Sequence, residues 1–294
     1  MNTACKLLLL IATFNTQIMP AQNLPSIADK TINIGQTTLA YKDSGTGSII
    51  LCLHAVGHSS SDFQSLFDFL SAGHRVIAID FPGHGKSGSP TAPISASYFA
   101  SVVDSFIRQM DLHNLVIVGN SIGGATALRL AAGNKEVKAL ALADPGGLDK
   151  RDFIAPFFIA YMVRFFKAGE QGKKSFQSKF RNYYKKVLVS KLADKRREEI
   201  VSSAYQIAPL LVEAWQSFGT VQEDLRPLIN SVQCPVLFTW GTKDKVVQLN
   251  RNKRAINMFS NKKLILYNIG HTPYVECPED FIKDFTAFLK ENNL

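Results

Sequence analysis

The sequence predicts an α/β protein built on a mostly parallel, doubly wound sheet with a helical insertion. Three observations predict this class. Strand-like and helix-like segments alternate along the chain from residue 31, and the glycine-rich turn Gly119–Gly123 joins an apolar β-branched run to a run rich in Ala and Leu. Residues 149–230 instead carry helical patterns. Alternating strands and helices favour a parallel sheet that is covered on both faces by right-handed crossovers.

The first predicted elements, Thr31–Ile34 and Thr38–Lys42, form a hairpin around the turn residues Gly35 and Gln36. The alternating elements follow. The predicted strands are 49–53, 75–79, 115–118, 139–143, 236–240 and 263–267, and the predicted helices are 62–70, 97–110, 124–132, 249–259 and 279–290.

Residues 149–230 are predicted to be a helical cap inserted into a core made of residues 22–148 and 231–294. One cap pattern places large apolar side chains near helical spacing, with lysines and arginines between them; these are Phe176, Phe180, Tyr184 and Val187. We expect the cap to lie over the carboxyl edge of the sheet, where open α/β sheets place their sites.

The positive charge of the chain is concentrated in this cap. The chain of 294 residues has a net charge of +9. Between Lys150 and Arg197 there are 14 Lys and Arg against 3 acidic residues, a local balance of +11, so the remainder carries −2. The apolar run Phe153–Phe166 precedes most of these charges. This pattern predicts either a cap with solvated lysines or contact with an anionic membrane surface or lipid-like substrate. No nucleic-acid partner is expected, because no such module is recognisable.

The N-terminus has the pattern of a signal peptide. Lys6 precedes the apolar run Leu7–Phe14, and Ala21 offers a small residue for cleavage. The apolar run is too short to span a bilayer. We therefore predict a signal peptide over residues 1–21 and export to the periplasm or the medium; the alternative is an N-terminal arm on a cytoplasmic protein.

Ser121 is the predicted nucleophile. It is the central residue of Gly119-Asn120-Ser121-Ile122-Gly123, a G-x-S-x-G motif between a predicted strand and a predicted helix. In that context the motif forms a sharp turn that presents the serine at the carboxyl end of the strand. An ordinary strand-to-helix turn is the alternative interpretation.

A nucleophilic serine needs a base, and His271 is the candidate because it follows the last predicted strand. Among the other histidines, His54 and His84 are predicted to lie in loops that face the site, but both precede the serine. Asp244, just after the penultimate strand, is the candidate acid, and Asp144 is the alternative. The order serine, aspartate, histidine is the one used by hydrolases with this type of elbow.

An acyl-transfer site also needs donors for a developing oxyanion. The N–H of Ile122, at the start of the elbow helix, is one candidate. The N–H of Val56, in the loop His54–Gly57, is the other. The chain shows neither metal-ligand spacing nor a phosphate-binding glycine loop, so neither a metal nor another cofactor is expected.

On these motifs the chain resembles the α/β-hydrolase fold family over about residues 30–148 and 231–294. The resemblance includes the segment Asp80–Ser87 as well as the elbow and the Asp244 and His271 segments. It implies an α/β-hydrolase core, a variable cap that shapes substrate choice, and a Ser-His-Asp triad. The family usually has His-Gly where this chain has His54-Ala55.

A narrower resemblance is to the carbon–carbon hydrolases that cleave meta-cleavage products of aromatic rings. In that group the asparagine before the nucleophile helps to hold the substrate, a role that would fall on Asn120. His54 is the second predicted substrate-binding residue. Against this resemblance, an aromatic residue commonly follows the catalytic histidine in that group, where this chain has Thr272.

The sequence therefore predicts a serine hydrolase that cleaves a carboxylic ester of an apolar small-molecule or lipid-like substrate. Ser121, His271 and Asp244 are its predicted triad. A carbon–carbon hydrolase and a non-catalytic ligand-binding protein with the same fold are the alternatives.

Overall fold

The computed structural model describes residues 27–294, so the predicted signal peptide lies outside the described residues. The described chain contains one eight-stranded sheet in the order β1-β2-β4-β3-β5-β6-β7-β8. The strands are β1 (Asp29–Ile34), β2 (Thr37–Ser44), β3 (Ser48–Leu53), β4 (His74–Ile79), β5 (Leu115–Asn120), β6 (Val137–Ala143), β7 (Val236–Gly241) and β8 (Lys262–Tyr267). The helices are α1 (Gln64–Leu70), α2 (Ala96–Gln109), α3 (Ile122–Gly133), α4 (Ala155–Glu170), α5 (Phe176–Val187), α6 (Asp194–Ser202), α7 (Ala204–Phe218), α8 (Leu249–Met258), α9 (Pro273–Glu276) and α10 (Pro278–Glu291).

The predicted fold class is confirmed. Strands β3 to β8 pair in parallel, and β1 and β2 add an antiparallel hairpin at one edge. Strand β5 lies between β3 and β6, and each of its residues is buried. The carboxyl ends of β5, β6 and β7 therefore meet at one edge of the sheet.

The two faces of the sheet are covered by different helices. Along β3, Leu51 and Leu53 belong to the apolar cluster that includes α2, α3 and α8, whereas Ile50 and Cys52 belong to the cluster that includes α1 and α10. This alternation follows from the two-residue period of a strand, and burial on both faces explains why the strands read as continuous apolar runs.

The segment between β6 and β7 forms helices α4 to α7 and short 3-10 turns, as its helical patterns predict. The predicted apolar face of α5 is confirmed, because its four large side chains are buried in a separate cap cluster. That cluster gives the cap its own small core, which packs over the carboxyl edge of the sheet through Val56 and Val275.

Two elements differ from the sequence prediction. The predicted helix 62–70 begins as a 3-10 turn, Ser60–Phe63, and becomes α-helical only from Gln64. The four-residue helix α9 begins two residues after His271 and is too short to produce a periodic pattern. Within residues 27–294, no helix has the length and apolar character needed to cross a bilayer.

Candidate active site

Ser121 occupies the strained turn that the elbow motif predicts. Its backbone has φ +54° and ψ −117°, an unusual conformation for a residue with a side chain. The turn is held on both sides, since the Ser121 N–H donates to the Ala143 carbonyl at 3.1 Å and the Ser121 carbonyl accepts from the Gly146 N–H at 3.0 Å. These bonds fix the Ser121 side chain at the carboxyl edge of the sheet.

The glycines of the elbow are required by close backbone contacts. A Cβ atom on Gly119 would lie 2.6 Å from the Gly123 carbonyl oxygen, and one on Gly123 would lie 2.2 Å from the Leu53 carbonyl oxygen. Neither backbone neighbour can move without displacing β3 or α3. The elbow therefore requires glycine at both positions, because neither has room for a Cβ atom.

His271 and Asp244 form a buried pair. His271 Nδ1 lies 2.7 Å from Asp244 Oδ2. The other Asp244 oxygen, Oδ1, accepts from the N–H groups of Val246 at 2.6 Å and Val247 at 3.2 Å, which fixes the carboxylate. Because Nδ1 donates to the carboxylate, the Nε2 atom of His271 is the ring nitrogen able to accept a proton.

The loop that carries His271 is hydrogen-bonded to both the core and the cap. The His271 N–H donates to the Val187 carbonyl at the end of α5 at 2.8 Å. Buried Glu276 accepts from the N–H groups of Gly270 and Thr272, each at 3.2 Å, and from that of cap residue Val189 at 2.6 Å. Sequence reasoning missed Glu276, because a glutamate after a strand gives no sign that its partners are backbone amides.

Asp144, the alternative acid, lies beside the pair. It is fully buried with φ +44°, and its Oδ1 accepts from the Gly241 N–H at 3.0 Å. Burial, and secondly the negative charge of Asp244, raise the pKa of Asp144 well above its usual value. The structure therefore places two carboxyl groups at the His271 ring, with Asp244 bonded to it.

One donor atom from each of Asp144, Asp244 and His271 lies within 4.8 Å of the other two, a grouping that could also hold a cation. Within this grouping, His271 Nδ1 and Asp244 Oδ2 are already bonded to each other at 2.7 Å. That bond favours proton transfer over metal binding at this position.

The two predicted oxyanion donors lie on different elements. Ile122 is the first residue of α3, where an N–H group has no partner within the helix. Val56 lies in the turn closed by the bond from the His58 N–H to the Ala55 carbonyl at 3.1 Å, and it lines the same cavity as Ser121. Of the two, Val56 lines the cavity, and Ile122 follows Ser121 directly in the chain; their role as oxyanion donors stays a prediction.

The predicted substrate contacts of His54 and Asn120 are not supported by the structure. Both are fully buried, and neither is among the residues that line the cavity. His54 Nδ1 lies 2.7 Å from the Ala55 carbonyl oxygen, and its Nε2 accepts from the Phe81 N–H at 3.0 Å. Burial also lowers the pKa of His54 to about 4. With both ring nitrogens bonded to backbone, His54 joins the start of the loop after β3 to the segment after β4.

The Asn120 amide joins three strand ends. Its Nδ2 donates to the Ala143 carbonyl at 2.8 Å and to the His271 carbonyl at 2.9 Å, and its Oδ1 accepts from the Thr272 hydroxyl at 3.2 Å. Asn120 precedes Ser121 in the chain, so this side chain ties the His271 loop to the elbow.

A cavity of about 890 Å³ lies between the core and the cap. Ser121 and His271 line it from the core side, and helices α4, α5 and α7 contribute apolar side chains from the cap. His58, which sequence reasoning did not place at the site, also lines it. The sequence signal that could have singled out His58 is its four-residue spacing from Asp62, since the two side chains are hydrogen-bonded.

His58 belongs to a buried polar chain that links core and cap. Its Nδ1 lies 2.6 Å from Asp62 Oδ2, and the Nε of Arg196 on α6 lies 2.5 Å from Asp62 Oδ1. Burial alone would raise the pKa of Asp62, but the charges and hydrogen bonds of Arg196 and His58 outweigh it and hold that pKa well below its usual value. Asp62 is therefore ionised and fixes the cap to the loop after β3.

Comparison with known proteins agrees with this architecture. The family model described as alpha/beta hydrolase fold matches residues 48–278, which span the elbow, the cap and His271. The chain belongs to the α/β-hydrolase fold family.

Its relatives include enzymes with different names. A 2-hydroxy-6-oxo-6-phenylhexa-2,4-dienoate hydrolase of Comamonas testosteroni is 26% identical, covering 85% of this chain and 91% of the relative. Lipase 3 of a Moraxella species is also 26% identical, covering 85% of this chain and 79% of the relative. Among solved structures, a membrane phospholipase A superposes with a TM-score of 0.73 at 22% identity, covering 91% of this chain and 87% of that one.

Proposed function

We propose that this protein is a serine hydrolase that cleaves the carboxylic ester bond of an apolar substrate through an acyl-enzyme. One observation carries the proposal: Ser121, in a strained elbow, lines the same apolar cavity as His271, whose Nδ1 is paired with Asp244 at 2.7 Å. A strained serine beside an oriented imidazole is the arrangement that nucleophilic catalysis requires.

In the first half-reaction the Ser121 oxygen attacks the ester carbonyl carbon, and His271 Nε2 takes the hydroxyl proton. Asp244 stabilises the imidazolium that forms. The N–H groups of Ile122 and Val56 donate to the oxyanion, and each such donor contributes about 3–4 kcal/mol of barrier lowering. His271 then gives its proton to the leaving alkoxide, so the alcohol departs and the acyl group stays on Ser121.

In the second half-reaction water replaces the alcohol. His271 accepts a proton from the water as its oxygen attacks the acyl carbon, and it returns that proton to the Ser121 oxygen. The products are the carboxylic acid and free enzyme. The cycle uses only groups of the chain and water.

The cavity lining supports an apolar acyl group. Phe158, Val163, Leu211 and Trp215 line it from the cap. Burial of apolar substrate surface against such side chains favours binding by about 25 cal/mol per Å². The lipase among the relatives supports the same substrate class.

The experiment uses a fluorophosphonate probe, which bonds covalently to activated serines. We expect wild-type protein to be labelled at Ser121, and Ser121→Ala to be unlabelled while retaining its thermal unfolding transition. Ser101→Ala, which changes an exposed serine on α2, is the matched control and should label normally. Folded wild-type protein that remains unlabelled and inactive on esters would favour the non-catalytic ligand-binding alternative.

Carbon–carbon cleavage is the second candidate function, because two relatives at 26–27% identity are named as ring-cleavage-product hydrolases. The involvement of Asn120 in backbone bonds makes it unavailable for the substrate role expected in that group. A panel of esters of graded chain length, assayed beside a ring-cleavage dienone, separates the two reactions. Turnover of the dienone above every ester would overturn the ester assignment.

A further inference from the structure

A row of aromatic side chains stands exposed on the cap. Phe153, Phe157 and Tyr161 are 81%, 74% and 65% exposed, respectively. They are spaced four residues apart, in the turn before α4 and along its first two turns, so they project from one side of the helix. We call these three residues the α4 ridge. Neighbouring large apolar side chains exposed to this degree mark an interaction surface.

The α4 ridge borders the substrate cavity. Ile154 and Phe158 are 49% and 36% exposed, and both also line the cavity. The Phe158 ring packs edge-to-face on Trp215 of α7, with ring centroids 5.5 Å apart. Apolar surface is therefore continuous from the outside of α4 to the cavity that contains Ser121.

Positive charge adjoins the ridge. Arg164 and Lys167 are exposed one and two turns beyond Tyr161 on the same helix. They belong to the segment Lys150–Arg197, whose balance of charge is +11. An anionic partner complements this surface, whereas a second copy of the chain would bring a second segment of the same positive charge.

We propose that the α4 ridge docks on the surface of an anionic lipid bilayer. Aromatic side chains lie at the boundary between headgroups and acyl chains, and the basic side chains of Arg164 and Lys167 lie against the headgroups. A lipid ester would then pass from the bilayer along the continuous apolar surface into the cavity. This inference relies on the proposed function for the ester, but the docking itself requires no catalysis.

The test measures co-sedimentation of the full chain with phosphatidylcholine vesicles, with and without phosphatidylglycerol. We expect binding at low ionic strength that requires phosphatidylglycerol and weakens as salt is added. Replacing the three ridge residues (Phe153→Ser, Phe157→Ser, Tyr161→Ser) should lower the partition coefficient at least about tenfold, because the apolar contact is lost. Phe69→Ser, which removes a 54% exposed phenylalanine on α1, is the matched control and should bind as wild type.

A charge variant tests the second half of the proposal. Arg164→Gln with Lys167→Gln should lower partition onto the anionic vesicles about 25-fold, on the basis of roughly fivefold per basic residue. Neither ridge residues nor these two line the cavity, so kcat/KM on a short soluble ester should stay within about twofold of wild type.

Three outcomes overturn the proposal. Wild-type protein that does not bind anionic vesicles at low ionic strength excludes docking, and so does a ridge variant that binds as well as wild type. A wild-type dimer in sedimentation velocity that the ridge variant loses would show that a second copy covers the ridge. Absence of ester turnover in the wild-type protein would instead concern the proposed function, because vesicle binding is measured independently of catalysis, including in Ser121→Ala.

Discussion

We expect Asp144 to take over part of the role of Asp244, because it also lies close to His271. The test is to remove Asp244 and measure the remaining activity. In comparable triads, loss of the acid costs about 10⁴ in kcat. With Asp244→Ala, Asp144 is the remaining carboxyl group beside the imidazolium, and the negative charge of Asp244 that helps to raise its pKa is gone. The donor atoms of Asp144 and His271 lie within 4.8 Å of each other.

The magnitude follows from that distance. At that upper limit of 4.8 Å, two unit charges attract by about 3.5 kcal/mol at an effective dielectric constant of about 20. That energy corresponds to roughly 300-fold in rate. We therefore expect Asp244→Ala to lose only about 30- to 100-fold in kcat, whereas Asp244→Ala with Asp144→Asn should lose about 10⁴. Asp144→Asn alone should stay within about threefold, because asparagine can still accept from the Gly241 N–H and the Asp244–His271 bond remains.

The assay is kcat on a soluble ester, with thermal unfolding to verify that each variant folds. Asp280→Asn, an exposed acid on α10, is the matched control and should be unchanged. Equal losses in Asp244→Ala and in the double variant would refute the reserve role of Asp144. A loss of about 10⁴ in Asp144→Asn alone would show that Asp144 is the working acid.

Two further predictions concern stability. Asp62→Asn leaves the charge of Arg196 poorly compensated, so the free energy of unfolding should fall by about 3–5 kcal/mol. Calorimetry should then show a Tm lower by roughly 6–15 °C. Glu199→Gln, which changes the exposed partner of Arg196, is the control and should cost under about 1 kcal/mol. Burial lowers the pKa values of His54 and His84 to about 4 and about 3, so both stay neutral when folded but gain protons when unfolded below about pH 6.5. Their contribution to stability is complete above pH 6.5 and is lost as pH falls toward 4, at up to about 2.7 kcal/mol per pH unit. Urea unfolding at pH values from 7 to 4 measures how the free energy of unfolding changes with pH, and His84→Gln should halve that slope. An unchanged slope in the variant would contradict the prediction.

The position of the site was predictable from the sequence because parallel strands share one carboxyl edge. Ser121, Asp244 and His271 each follow a strand that the apolar pattern locates, and the sheet order then places those strand ends at the same edge. The glycines at 119 and 123 were predictable for a similar reason, since a turn this tight has no space for a side chain.

The partners of buried polar groups were not predictable in this way. His54 and Asn120 are residue types that bind substrates, and only the fold shows that their nitrogen and oxygen atoms are already bonded to backbone. His58 and Glu276 are the opposite case, residues that the sequence did not single out. His58 lines the cavity, and Glu276 binds a backbone N–H of the cap.

By itself, the sequence determined the fold class, the elbow and the three residues of the predicted triad, because these depend on local periodicity and on the ends of strands. The tertiary structure alone decided that Asp144 lies against Asp244, that Arg196 joins the cap to Asp62, and that Phe157 is exposed while Phe166 is buried. Those facts depend on contacts between residues far apart in the chain, and no local pattern records which side chains meet when the cap packs on the sheet.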